Sequence, residues 1–88
     1  MVTVTAYDIR NSLLMEWYGK RHVLSEKVQQ FSKRHGTAFH AFEKKIRSSK
    51  TENFGDWDDY MEWKACERQL DEIEKNIEDM KHGRFKVA

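Results

Sequence analysis

From Trp63 to Met80 the apolar residues Trp63, Cys66, Leu70, Ile73, Ile77 and Met80 follow one another at intervals of three, four, three, four and three. This spacing places six side chains on one stripe of an α-helix and repeats the a/d seam of a coiled coil for about three heptads. A helix built this way must lay the stripe against another helix. Most of the intervening residues, among them Glu67, Asp71 and Lys75, are charged, as suits a solvated face. The chain contains no proline, so nothing in it forces a helix to stop where the apolar period continues. The seam therefore predicts an all-α fold, and the search for its partner helix organises the rest of the chain.

The N-terminal half supplies that partner. Thr5 with Asp8 three residues later has the form of a capping box, with Asp in place of the usual Glu. Behind it, Ile9, Leu13, Trp17, Leu24, Val28 and Phe31 mark an apolar stripe. Lys33, Arg34 and His35 load the last turn with cations, and Gly36 provides a left-handed stop. Gly19 interrupts the pattern and suggests a bend or a close helix contact. Arg21 shares the side of Leu24 and Val28 and is placed to extend its guanidinium towards an acid of the last helix. A second helix is read over about 38–49, capped by Thr37, with Phe39, Phe42 and Ile46 as its stripe. SSKTENFG is a loop, Asp56 caps the last helix, and Gly83 ends it.

The expected organisation is one helical domain, residues 1–88, with an extended lead-in over 1–6. A helical hairpin of two long antiparallel helices, about 8–35 and 57–82, follows, with the short helix between them and a tail over 83–88 whose Phe85 and Val87 fold back. Eighty-eight residues give a small core. Two helices bury one stripe each, so pairing of two chains into a dimeric bundle is a natural completion.

Charge sharpens this picture. Residues 1–50 hold ten Lys/Arg and four Asp/Glu, whereas residues 51–88 hold six and eleven. Opposite halves attract within a hairpin or between chains. A nucleic-acid face is the alternative, but the basic residues are interspersed rather than clustered, which favours the first reading. Mean hydropathy of −0.91 and the lack of any long apolar run argue against a membrane span. The opening MVTVTAYDIR does not read as a signal peptide, and the lone Cys66 has no internal disulfide partner. Both point to a cytoplasmic, reducing setting.

The run FGDWDDYMEWKACE gathers aromatics and carboxylates in one place. Asp58 and Glu62 share a helical face and invite a metal reading, yet no His or Gly-rich calcium loop accompanies them. Arg34 and His40, six apart, resemble the Arg–His pair of one group of helical ribonucleases, but they straddle the break at Gly36. Cys66 lies on the seam, where a small apolar group is wanted. The reading therefore assigns no catalytic residue, metal or cofactor. It assigns a partner or oligomer interface to the aromatic ridge Trp57, Tyr60 and Trp63, to Phe39 and Phe42, and to Leu70, Ile73 and Ile77 of the seam, and leaves open whether the ridge packs instead on Phe39, Phe42 and the first helix as core.

KVQQFSKRHGTAFHAFEKKI followed by WDDYMEW orders Phe31, a basic pair, His35-Gly36, Phe39 and Phe42, then Asp59-Tyr60-x-Glu62-Trp63. This resembles the C-terminal helical region of small prokaryotic, especially archaeal, antitoxins of toxin–antitoxin pairs, in which Phe-x-x-Lys-Tyr-Gly, a Phe-x-x-Phe helix and a Glu-Trp element recur. The resemblance covers about residues 27–80. His35 stands where Tyr is usual, and Ser32 where an acid is usual. The N-terminal residues do not form a ribbon-helix-helix pattern, so what the resemblance implies is confined to binding and neutralising a cognate toxin. The alternative is a homo-oligomeric helical scaffold.

Overall fold

A computed structural model of the chain describes residues 2–48 and 54–86. They form three helices: α1 over Ala6–His35, α2 over Phe39–Ser48 and α3 over Phe54–Lys81. Arg10 near the start of α1 reaches the Met80 carbonyl at the end of α3, 3.2 Å away. Arg34 at the end of α1 reaches Asp59 near the start of α3. The long helices are thus an antiparallel hairpin, and α2 packs on α3 at one end.

Local chemistry sets the helix ends. The Thr5 hydroxyl accepts from the Asp8 amide while the Asp8 carboxylate accepts from the Thr5 amide, so both halves of the capping box form. These bonds from Thr5 hold the Asp8 carboxyl below its ordinary value. Gly36 adopts φ 65°, and the Gly36 and Thr37 amides both reach the Ser32 carbonyl. Gly83 adopts φ 72°; its amide reaches Met80, and that of Arg84 reaches Asp79, the paired bonds of a Schellman stop.

Two expected caps are corrected. α3 begins at Phe54, so Asp56 lies in its first turn, where an anion suits the macrodipole, and is not the N-cap. The chain leaves the Gly36 turn so directly that Ala38 occupies the position before α2. The Ala38 carbonyl accepts from Phe42, while the Thr37 carbonyl accepts the Ser32 hydroxyl. Residues 49–53, most of the expected loop, and Val87 lie outside the described residues. Phe85 is exposed and lies outside both core clusters.

The stripe on α1 also shifts. Ile9 is exposed, Leu13 and Trp17 are half-buried, and Leu14 is buried. The reason is angular. Each step of four residues overshoots a full turn by about 40°, so Ile9, Leu13 and Trp17 drift around the helix. The row that stays inward alternates threes and fours: Leu14, Trp17, Arg21, Leu24, Val28, Phe31 and His35. Arg21 holds its half-buried place in that row with its guanidinium 5.0 Å from the centroid of the Tyr18 ring. Gly19 breaks nothing; α1 runs through it, and a Cβ there would meet no atom within 4 Å.

The core divides in two. At the three-helix end, Phe31, Phe42, Ile46, Tyr60 and Trp63 are buried together, with Val28 and Phe39 against them. At the far end, Leu14, Ile77 and Met80 are buried, with Leu13, Trp17, Tyr18 and Ile73 against them. Leu24 and Cys66 are buried between these ends. The predicted seam faces inward along its length, fully at Trp63, Cys66, Ile77 and Met80 and half at Leu70 and Ile73.

Candidate functional site

Helical phasing splits FGDWDDYMEWKACE between two faces. Tyr60, Trp63 and Cys66 point into the hairpin and are buried. Phe54, Trp57 and Met61, spaced by three and four, lie outward with exposures of 79, 42 and 60%. Three large apolar side chains on one solvent-facing stripe are costly in isolation and characteristic of contact surfaces. Asp58 and Glu62 are exposed between and beside them. Trp57 is braced from below, its ring edge-on to Tyr60 at 5.8 Å.

The inward half gives that stripe a rigid base. The Trp63 ring stacks with Phe31 at 5.8 Å and Phe42 at 5.4 Å, and its indole N–H donates to Glu67 at 3.2 Å. The Tyr60 hydroxyl donates to Glu43 of α2 at 2.8 Å, and its ring stacks with Phe39 at 6.0 Å. A buried aromatic thus keeps a partner for its polar atom, as burial requires. Burial pushes the Cys66 thiol above its ordinary value, with Glu62 and Glu67 adding to the effect against Lys27. This leaves less thiolate and suits a packing role.

Asp59 joins the ends of the long helices. One of its carboxylate oxygens lies 2.8 Å from His35 Nε2, and Arg34 Nη1 donates to both oxygens at 3.0 and 2.9 Å. The His35 ring in turn stacks on Phe42 at 4.1 Å. Burial alone would raise the Asp59 carboxyl. The hydrogen bonds and positive charge of Arg34 and His35 outweigh it and hold the group below its ordinary value. A carboxylate whose folded pKa is depressed stabilises the fold above the unfolded pKa and loses that contribution as pH falls through the folded pKa. Asp59→Asn is therefore expected to cost about 1–3 kcal/mol at neutral pH. The gap from wild type should close on acidification below about pH 4; urea titrations at neutral and acid pH read both.

The eight residues expected at an interface fall into three groups. Phe42, Tyr60, Trp63 and Ile77 are sealed in the chain's own core. Phe39, Leu70 and Ile73 are half-buried, and Trp57 is exposed. A contact surface on the folded chain can draw on the last four, not on the first. Phe54 and Met61 join Trp57 outside, and the expected ridge missed them because it followed the three-residue spacing inward. Asp59 enters the sequence reading through the resemblance alone, and its link to Arg34 and His35 is visible only in the structure. The continuation of the α1 row to His35 was the signal that the opposite helix end faces it.

The other candidates stay apart. Arg34 is engaged with Asp59, whereas His40 is exposed on α2. Asp58 and Glu62 are exposed, and among the described residues no group of three His, Cys, Asp or Glu side chains is placed to hold a metal ion. His22 and Glu26 form an ordinary pair along α1 at 3.2 Å. No helix among the described residues is long and apolar enough to cross a membrane. No family model, curated protein or solved structure matches this chain.

Proposed function

We propose that this chain is a non-catalytic protein-binding module that docks a protein partner on the Phe54, Trp57 and Met61 stripe of α3. The observation that carries the reading is the exposure of that stripe directly above a stacked, hydrogen-bonded aromatic core. Trp57 contributes large apolar area on a side chain already braced by Tyr60, so little conformational entropy is lost on binding. Asp58 and Glu62 rim the stripe and favour a partner with basic residues around an apolar pocket.

The resemblance to antitoxins supplies the class of partner, a cognate toxin whose functional surface the module covers. The residues that carry it (Phe31, His35, Phe39, Phe42, Asp59, Tyr60 and Trp63) form or join the three-helix end. On this reading they build the platform on which Trp57 and its neighbours are displayed. The single unpaired Cys66 accords with action in the reducing cytoplasm.

The test is co-expression with the products of flanking genes. A stable complex is expected, with toxicity of the partner when this chain is removed. Trp57→Ala should weaken the complex by about 2 kcal/mol or more while leaving helicity and melting temperature near wild type, because the side chain is exposed. Flanking products that neither bind nor become toxic without the chain would remove the reading.

A further inference from the structure

A second apolar surface lies on the hairpin beyond the reach of α2. Between α1 and α3 runs an open groove of about 690 Å³, lined on one side by Met15, Trp17, Val23 and Leu24 and on the other by Ile73. Met15 is 75% exposed and Val23 52%. We propose that a second copy of this chain fills the groove, making a two-fold antiparallel four-helix bundle. The proposal does not rest on the partner assigned to the Trp57 stripe.

Area is the first argument. The chain exposes 6916 Å², whereas a folded monomer of 10.6 kDa is expected to expose about 5,500 Å². The radius of gyration is 17.7 Å, against about 12 Å for a compact domain of this length. The extended lead-in and the exposed residues after Gly83 account for part of the excess. An excess near 1,400 Å², by the same scaling, is larger than the roughly 800 Å² that each partner gives to a standard interface.

Charge fixes the arrangement. α1 carries six basic and three acidic residues, and α3 four basic and ten acidic. A two-fold axis along the hairpin lays α1 of each copy on α3 of the other, whereas an axis across it stacks α1 on α1 and α3 on α3. Both keep neighbouring helices antiparallel, and only the first satisfies the charges. It also sets Lys20, which pairs with Glu16 at 3.0 Å along the α1 rim of the groove, against the partner's Glu72 on the α3 rim, where it can bridge both carboxylates. Gly19 lines the same groove and is exposed, with open space where a Cβ would stand. A mid-helix glycine that no contact among the described residues requires lets a partner helix approach closely.

Sedimentation equilibrium of the purified full chain tests this. A dimer is expected at micromolar concentration. Met15→Glu and Val23→Glu alter exposed side chains and should leave helical circular dichroism intact, while raising the dimer dissociation constant about thirtyfold or more. Lys20→Glu should also weaken the dimer, and the double change Lys20→Glu with Glu72→Lys should restore it. Trp57→Ala should leave it unchanged. A chain that stays monomeric at all concentrations would hand the groove to some other occupant and overturn the proposal. So would a dimer indifferent to both glutamates, or charge reversals whose effects merely add.

Discussion

Trp63→Ala is expected to lower stability by about 3–5 kcal/mol, enough to unfold much of the population in a domain of this size. Trp63 is 1% exposed and stands where all three helices meet. Its ring touches Phe31 of α1 and both Phe39 and Phe42 of α2. Deleting it removes the area of the largest side chain in the core and leaves a void lined by stiff rings, which collapse poorly. The Glu67 carboxylate also loses the indole donor. Trp63→Phe keeps most of the stacking and should recover well over half of the loss. Urea unfolding followed by circular dichroism checks both values. A loss below about 1 kcal/mol, the range of surface substitutions, would mean that α2 does not seal this end.

Ile77→Ala is the second large effect, at about 2–4 kcal/mol, within the range for burying and then emptying an aliphatic site. Ile77 is 2% exposed and packs with Leu14 and Met80 at the end that α2 does not reach. Among the described residues two helices surround it, so the walls can close on the space more readily than around Trp63. That places it below the tryptophan. Leu70→Ala, at a half-buried position of the same seam, should cost less than Ile77→Ala in a monomer. Midpoints of denaturant unfolding at constant slope give the ranking. Equal losses at Leu70 and Ile77 would show that the seam is covered along its whole length by more than α1.

Periodicity made the fold legible. The alternation of threes and fours on α3, the capping box at Thr5 and Asp8, and the stops at Gly36 and Gly83 each depend on residues a few positions apart. All of them form as read. What misled was equally local. The repeated spacing of four at Ile9, Leu13 and Trp17 resembles a stripe but rotates out of register, and Leu14 is the residue that stays inside. At the candidate site, the aromatic run was visible in the sequence, but its division into inward and outward halves was only partly so. A spacing of three from Trp57 through Tyr60 to Trp63 turns by about 300° per step, so the rings spread from the exposed edge into the core.

By itself the sequence determined that this chain is helical, where its long helices stop, and which row of α3 must be covered, because helix period, capping and glycine stops act within one or two turns. Only the tertiary structure decided that Asp59 ties α3 to Arg34 and His35, that Tyr60 and Trp63 belong to the core, and that Trp57 keeps Phe54 and Met61 as outward neighbours. Those assignments depend on how the long helices are rotated against each other and on where α2 lies. Many weak contacts between residues distant in the chain set that rotation together, and no short pattern encodes it.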